Sequence, residues 1–253
     1  MGTKLREKVA IVTGGGRGIG RRIAEAYAEE GAKVVVTAAH ELSEIQNVVA
    51  RINGVAVQAD VTKDKDVARV VETALSHFGR IDILVNNAAR GMRYVSEEFM
   101  TSPVSFWQCE PDVWRTIMDT NINGVFLMTR AVVPHMLQQG AGKIINITIN
   151  QETMQRPGFS PYGPSKAALE SMSSIWAKDL DGTGVTVNML LPGGPTDTGM
   201  IPSGLPEAIR KNLLNPDVVA PAAVYLASDE ANGVTGGRIV AIEWNRDHGL
   251  AKT

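Results

Sequence analysis

One cysteine in 253 residues, Cys109, leaves no internal disulfide framework and no Cys-rich metal site, and no metal centre of any kind is read from the sequence. Such sparing use of cysteine fits a reducing compartment. Long apolar runs are also missing. Residues 1–7 are short and charged, and the apolar stretch that follows stops at a glycine cluster, so neither a membrane span nor a signal peptide is read and the expected location is cytoplasmic. Charge of one sign is scarce as well. The formal net charge of −2 gives no electrostatic reason to expect nucleic acid or an anionic membrane as a partner. No linker, low-complexity tract or internal repeat divides the chain, which predicts one domain over residues 1–253.

What is present is a core-forming chain, 44% hydrophobic and 21% charged. Short runs rich in Val and Ile predict strands at 8–12, 33–37, 55–58, 81–86, 143–147, 185–190 and 238–242. Segments of helical periodicity lie between them at 19–30, 43–52, 65–78, 113–137, 165–180 and 216–227. Strands apolar on both faces belong to a parallel sheet covered by helices, so the alternation predicts a doubly wound α/β fold with a seven-stranded parallel sheet. Two segments interrupt it, 90–112 with its aromatics and 192–216 with its prolines and glycines. Both follow strands at their carboxyl ends, where open α/β sheets place their ligands, and are read as substrate-side loops.

The run Thr13-Gly14-Gly15-Gly16-Arg17-Gly18-Ile19-Gly20 joins the first strand to the first helix. Glycines there permit a tight turn, close approach of backbone to a pyrophosphate, and packing of helix on strand, while the helix start offers unpaired N–H groups. A dinucleotide site is the expectation. The second strand ends Thr37-Ala38-Ala39-His40 with no acid before Glu41, whereas an acid near that position would accept the ribose hydroxyls of NAD. Arg17 is placed to meet a 2′-phosphate with help from His40, which favours NADP(H) over NAD(H).

Tyr162 and Lys166, four residues apart at a helix start, share one face. An ammonium beside a phenol lowers the phenol's pKa, so this pair is expected to bring Tyr162 towards neutrality and let it exchange a proton with an alcohol or carbonyl oxygen.

Together these motifs resemble the short-chain dehydrogenase/reductase family over nearly the whole length. Thr13 to Gly20 is similar to its TGxxxGxG turn, Asp60-Val61 to the pair beside the adenine, and Asn86-Asn87-Ala88 to its NNA motif. The resemblance implies a Rossmann fold and hydride transfer between a nicotinamide dinucleotide and a small-molecule substrate. It implies Asn121 as support for a proton-relay water, Tyr162 as general acid/base, and Lys166 as holder of the nicotinamide ribose. Pro192-Gly193 is similar to the turn beside the nicotinamide, with Thr196 or Thr198 as the nearby hydroxyl. Helices at 113–137 and 165–180 resemble those that pair between subunits, implying a homodimer or homotetramer.

The resemblance breaks at Ala89, where a glycine is usual, at Ala241-Ile242-Glu243-Trp244, which replaces an acidic-Gly-Gly ending, and at one position that bears on the chemistry. The family's serine lies thirteen residues before the tyrosine, and here that position is Ile149. Asn150 takes the role if the loop runs one residue shorter, its amide donating to the substrate oxygen; Thr148 is a second candidate; or an ordinary ketone is not turned over. Losing one such donor elsewhere costs roughly 10²–10³ in rate, so the departure bears on function. Phe99, Phe106 and Trp107 suit an apolar or aromatic substrate or else anchor the loop, with Met154, Phe159, Met200 and Ile201 as further apolar candidates. The reading favoured is NADP(H)-dependent oxidation or reduction of a small alcohol or ketone. Altered chemistry on the same fold (C=C reduction, dehydration, epimerisation) and a non-catalytic cofactor binder are the alternatives.

Overall fold

Strands β1 (Val9–Val12), β4 (Ile83–Asn86), β5 (Gly142–Ile147) and β6 (Val185–Leu191) are buried along their whole length. A strand with both faces apolar is stable only inside a covered sheet, and that is where the computed structural model, which describes residues 2–250, places them. With β2 (Lys33–Ala38), β3 (Val55–Gln58) and β7 (Arg238–Val240) they form one parallel sheet ordered β3-β2-β1-β4-β5-β6-β7. Its edges, β3 and β7, are the half-buried strands.

Alternation along each strand feeds two cores. On β1, Ala10 and Val12 join Ile23 and Tyr27 of α1 (Gly18–Glu29) on one face, while Ile11 joins Val67, Val71 and Met128 on the other. α1 fills the first crossover, and α2 (Leu42–Ile52) and α3 (Asp64–Phe78) fill the next two. The predicted helix at 113–137 is interrupted: α4 (Pro111–Met118) passes through a π turn, Asp119–Asn123, into α5 (Gly124–Gln139). Period alone conceals such a bulge, which adds one residue to a turn. A short α6 (Gln151–Met154) precedes α7 (Tyr162–Asp179), which starts three residues before the predicted boundary.

The 192–216 segment holds α8 (Glu207–Arg210), and the predicted helix at 216–227 opens as a 3₁₀ turn, Pro216–Val219, before α9 (Ala220–Ala227). The last predicted strand ends early, at Val240, and the chain turns into α10 (Ala241–Asp247). There Trp244 packs on Tyr225 at 5.4 Å and stacks on His248 at 3.9 Å. Met1 and residues 251–253, the ends of the predicted 1–253 domain, lie outside the described residues.

Polar side chains tie the middle of the sheet to its helices. Asn86 and Asn146 face each other in register on β4 and β5. The Asn86 amide donates to Asn146 Oδ1 at 2.8 Å and to Thr129 Oγ1 on α5 at 3.0 Å. Asn146 donates in turn to Ser173 Oγ on α7 at 2.8 Å. All four are buried, so deleting one strands its partners without water. Asn146→Ala is expected to cost about 2–4 kcal/mol, read as a lower urea midpoint at unchanged slope; a change under about 0.5 kcal/mol would show the chain to be dispensable.

Candidate active site

The carboxyl ends of β1, β2 and β4 carry the glycine turn, the Ala38–His40 corner and the Asn87–Arg90 loop. The turn is fastened to the loop from below. Thr13 Oγ1 accepts from the backbone N–H of Asn87 and Ala88, each at 3.1 Å, and the Asn87 amide donates to the carbonyls of Thr13 and Gly14, each at 2.9 Å. Gly14 has φ +62°, and a Cβ there would stand 2.9 Å from Ala88 Cα, so only glycine allows this approach.

A cleft of about 250 Å³ runs above these elements. Of the residues expected to hold a dinucleotide, Gly14, Gly16, Arg17, Gly18, Ile19, Ala38, His40, Asp60, Val61, Asn87 and Ala88 line it. Gly20 does not: it sits beneath the turn, where a side chain would strike the Asn87 amide and the Gly14 carbonyl, so its role is packing. Asp60 lines the cleft with its carboxylate turned to Thr62, accepting from the backbone N–H at 2.9 Å and the hydroxyl at 2.8 Å.

The sequence reading missed Arg90. Grouped there with the substrate-side loop, it instead reaches along the first cleft, its Nη2 3.3 Å from His40 Nε2 and its guanidinium 4.6 Å above the Tyr94 ring. Its place directly after Asn86-Asn87-Ala88-Ala89 was the available signal. Arg17 lies at the same end, in an ion pair with Glu44 at 3.5 Å.

A second cleft, about 190 Å³, meets the first at Ile19, Asn87, Ala89, Thr198 and Met200. Tyr162, Lys166, Asn150, Pro192, Gly193 and Thr196 line it, as do Thr148, Ile149 and Thr198. Lys166 Nζ donates to the Ile147 carbonyl at 2.7 Å and lies 5.8 Å from the centre of the Tyr162 ring. Burial lowers the Lys166 ammonium to about 8 and raises the Tyr162 phenol above its ordinary value. The expected depression of the phenol is therefore reversed: desolvation acts on both groups and outweighs the attraction of a lysine committed to a carbonyl.

Just past the end of β5, where the resemblance predicts a serine, Ile149 lines the second cleft. Thr148 faces α7, its hydroxyl donating to Glu170 Oε1 at 2.9 Å. Arg238 donates to that same carboxylate oxygen at 2.9 Å and to the Ile149 carbonyl at 2.9 Å, which fixes this strand end. The Asn150 amide donates to the Gly193 carbonyl at 3.0 Å, leaving its second N–H uncommitted.

Asn121 lines neither cleft. It is fully buried, accepting from the Arg90 N–H at 2.8 Å and donating to the Arg90 carbonyl and to Ser165 Oγ, each at 3.0 Å. Its side chain thus holds the architecture of the site from behind. Of the apolar candidates, Phe99, Phe159, Met200 and Ile201 line the second cleft and Met154 does not. Phe106 and Trp107 neither line the site nor anchor the loop: they are 67% and 73% exposed and contact each other edge to face at 5.2 Å. The Ser105–Gln108 capping box closes that turn on itself and leaves both rings outside.

The short chain dehydrogenase family matches residues 8–206. A 3-oxoacyl-[acyl-carrier-protein] reductase of Synechocystis is 36% identical over 251 residues, 95% of this chain and 97% of the relative. The crystal structure of a 3-ketoacyl-(acyl-carrier-protein) reductase from Brucella melitensis complexed with NADH superposes with a TM-score of 0.83 at 32% identity, covering 93% of this chain and 97% of that one. A short chain dehydrogenase from Burkholderia cenocepacia in complex with NADP gives 0.82 at 30% identity, with coverages of 94% and 97%. The chain belongs to the short-chain dehydrogenase/reductase family. It is an NAD(P)-dependent oxidoreductase on a Rossmann-type sheet, and among the described residues no helix is long and apolar enough to cross a membrane.

The lowered Lys166 ammonium has a sign that can be measured. In the cofactor-free protein it holds fewer protons than in the unfolded chain between about pH 8 and its ordinary value of 10.5, so it makes stability rise with pH across that window. Below pH 8 both states are protonated and the slope vanishes. Tyr162 opposes the trend only above pH 10, where the unfolded phenol ionises first. Urea unfolding at pH 7.5, 8.5 and 9.5 should show a rising difference between wild type and Lys166→Met; a flat difference would refute a depressed lysine.

Proposed function

We propose that the protein reduces a small apolar or aromatic ketone, or oxidises the matching alcohol, with NADP(H) preferred over NAD(H). The observation that carries this reading is the convergence of Tyr162 and Lys166 on a cleft continuous with a glycine-floored trough. The residues of the trough fit a dinucleotide: the start of α1 and Gly14–Ile19 would hold the pyrophosphate, and Asp60, Val61 and Ala88 the adenosine side. Pro192, Gly193 and Thr196 would border the nicotinamide. When bound, the dinucleotide supplies or accepts the hydride. Arg90, His40 and Arg17 support a 2′-phosphate, with Arg90 the better placed because Glu44 already engages Arg17.

The protein's own part is proton transfer and positioning. With its phenol raised by burial, Tyr162 stays protonated at neutral pH and gives that proton to a carbonyl oxygen. Lys166 holds the ribose side of the site and, losing its own proton near pH 8, is suited to restore the phenol. Asn150 offers its free N–H to the substrate oxygen in place of serine. The loops at 90–112 and 192–216 form the substrate side of a single domain, and pairing of α5 and α7 between subunits would give a dimer or tetramer. The apolar wall at Ile149 favours a second reading, altered chemistry that needs one oxygen donor only.

Nicotinamide absorbance during a screen of ketones and alcohols separates these readings. Tyr162→Phe should lose roughly 10²–10⁴ of kcat, and Asn150→Ser should retain or raise activity. Arg90→Ala should raise KM for NADPH roughly ten- to a hundredfold, with a much smaller change for NADH. Full activity in Tyr162→Phe would sink the mechanism, and a clear wild-type preference for NADH would sink the cofactor assignment.

A further inference from the structure

The second cleft has one charged side chain at its rim that nothing in the protein uses. Arg156 lines that cleft, in the turn between α6 and α7, and makes no ion pair and no side-chain hydrogen bond among the described residues. Most arginines of this chain are satisfied internally. Arg93 pairs with Glu97 at 2.7 Å, Arg210 with Asp197 at 2.7 Å and Arg238 with Glu170 at 2.9 Å. Arg156 instead lies over the Phe159 ring, its guanidinium 4.9 Å from the ring centre. Phe159 is buried and meets Phe99 edge to face at 5.7 Å, so a packed aromatic wall carries the guanidinium. Stacking on a ring restricts the side chain while leaving the in-plane N–H donors open.

Those donors border a chamber with one apolar wall. Met92, Phe99, Met100 and Phe159 form the wall leading from Arg156 towards Tyr162. A planar guanidinium with free donors matches a carboxylate in bidentate fashion. The cleft, at about 190 Å³, is smaller than the roughly 300–1,000 Å³ usual for ligand sites, which limits the body of the substrate to a compact group.

We propose that Arg156 is a specificity residue that binds an anionic group on the substrate, so that the site takes a small carbonyl or hydroxyl compound with a compact apolar or aromatic body and a carboxylate at its far end. This rests on the redox reading above for its reacting carbon, but the recognition it describes is separable from turnover. A phosphate on a carrier arm shares the same chemistry, and the cleft volume favours the free acid.

The test uses the whole protein saturated with NADPH. Binding of phenylacetate, 3-phenylpropionate and 4-phenylbutyrate is compared by calorimetry with their primary amides and with a phosphopantetheine thioester. In the wild type at least one carboxylate should bind tenfold or more tighter than its amide. Arg156→Met should collapse that ratio to near one and Arg156→Lys should restore part of it. In parallel, kcat/KM for an aryl keto acid should exceed that of its methyl ester by a similar factor, carried in KM. Equal binding of acid and amide across the series, or a preference that survives Arg156→Met, overturns the proposal. Tighter, Arg156-dependent binding of the phosphopantetheine compound than of any free acid overturns the carboxylate assignment. If neither keto acids nor esters are turned over while the acid preference and its loss in Arg156→Met stand, the redox reading fails and the anion site remains.

Discussion

Two parts of the site depend on one buried amide. Asn121 commits both its amide N–H donors and its carbonyl oxygen to the backbone of Arg90 and the hydroxyl of Ser165. Through Arg90 it fixes the loop after β4, which floors the first cleft. Through Ser165, whose hydroxyl donates to the Tyr162 carbonyl at 2.7 Å, it fixes the first turn of the helix that carries Tyr162 and Lys166. The π turn at Asp119–Asn123 is the local departure that accompanies this arrangement. An unpaired amide at full burial would cost more than a helix irregularity, so the irregularity persists.

With that anchor in place, the charge pattern of the cleft follows from burial. Its middle, around Tyr162 and Lys166, is lined mainly by apolar groups, and burial there disfavours both phenolate and ammonium. Its two ends carry guanidinium groups: Arg90 beside His40 at one, Arg156 on Phe159 at the other. Guanidinium suits those positions because it stays charged and tolerates stacking on a ring.

How much of this could be read from the sequence depended on whether the signal was local. The seven strands and their parallel sense were legible because buried parallel strands are continuous apolar runs separated by crossover helices. The glycine turn and the Tyr162–Lys166 pair were legible because their chemistry lies within a few residues. The π turn was not, since helical period survives one inserted residue. Phe106 and Trp107 misled because aromatic content reports a capacity for burial, and the capping box that leaves them outside is a matter of backbone. Arg90 was misassigned because the direction of a long side chain is decided by what packs beside it, here Tyr94 and His40. At Gly20 and Asn121 the residue type was a sound guide to importance and a poor guide to contact: both hold the site from underneath.

The ionisation of Tyr162 is where that distinction matters most. Sequence spacing alone suggested an ammonium pressed against a phenol, a pair that would favour phenolate. In the folded chain Lys166 spends a 2.7 Å hydrogen bond on the Ile147 carbonyl, and burial sets the phenol. A protonated tyrosine is the right starting state for giving a proton to a carbonyl oxygen and the wrong one for taking a proton from an alcohol. Drawing Tyr162 towards phenolate therefore requires charge or hydrogen bonds supplied by whatever fills the cleft. That requirement is set by the same desolvation that raises the phenol and lowers the Lys166 ammonium, so both departures have one physical cause.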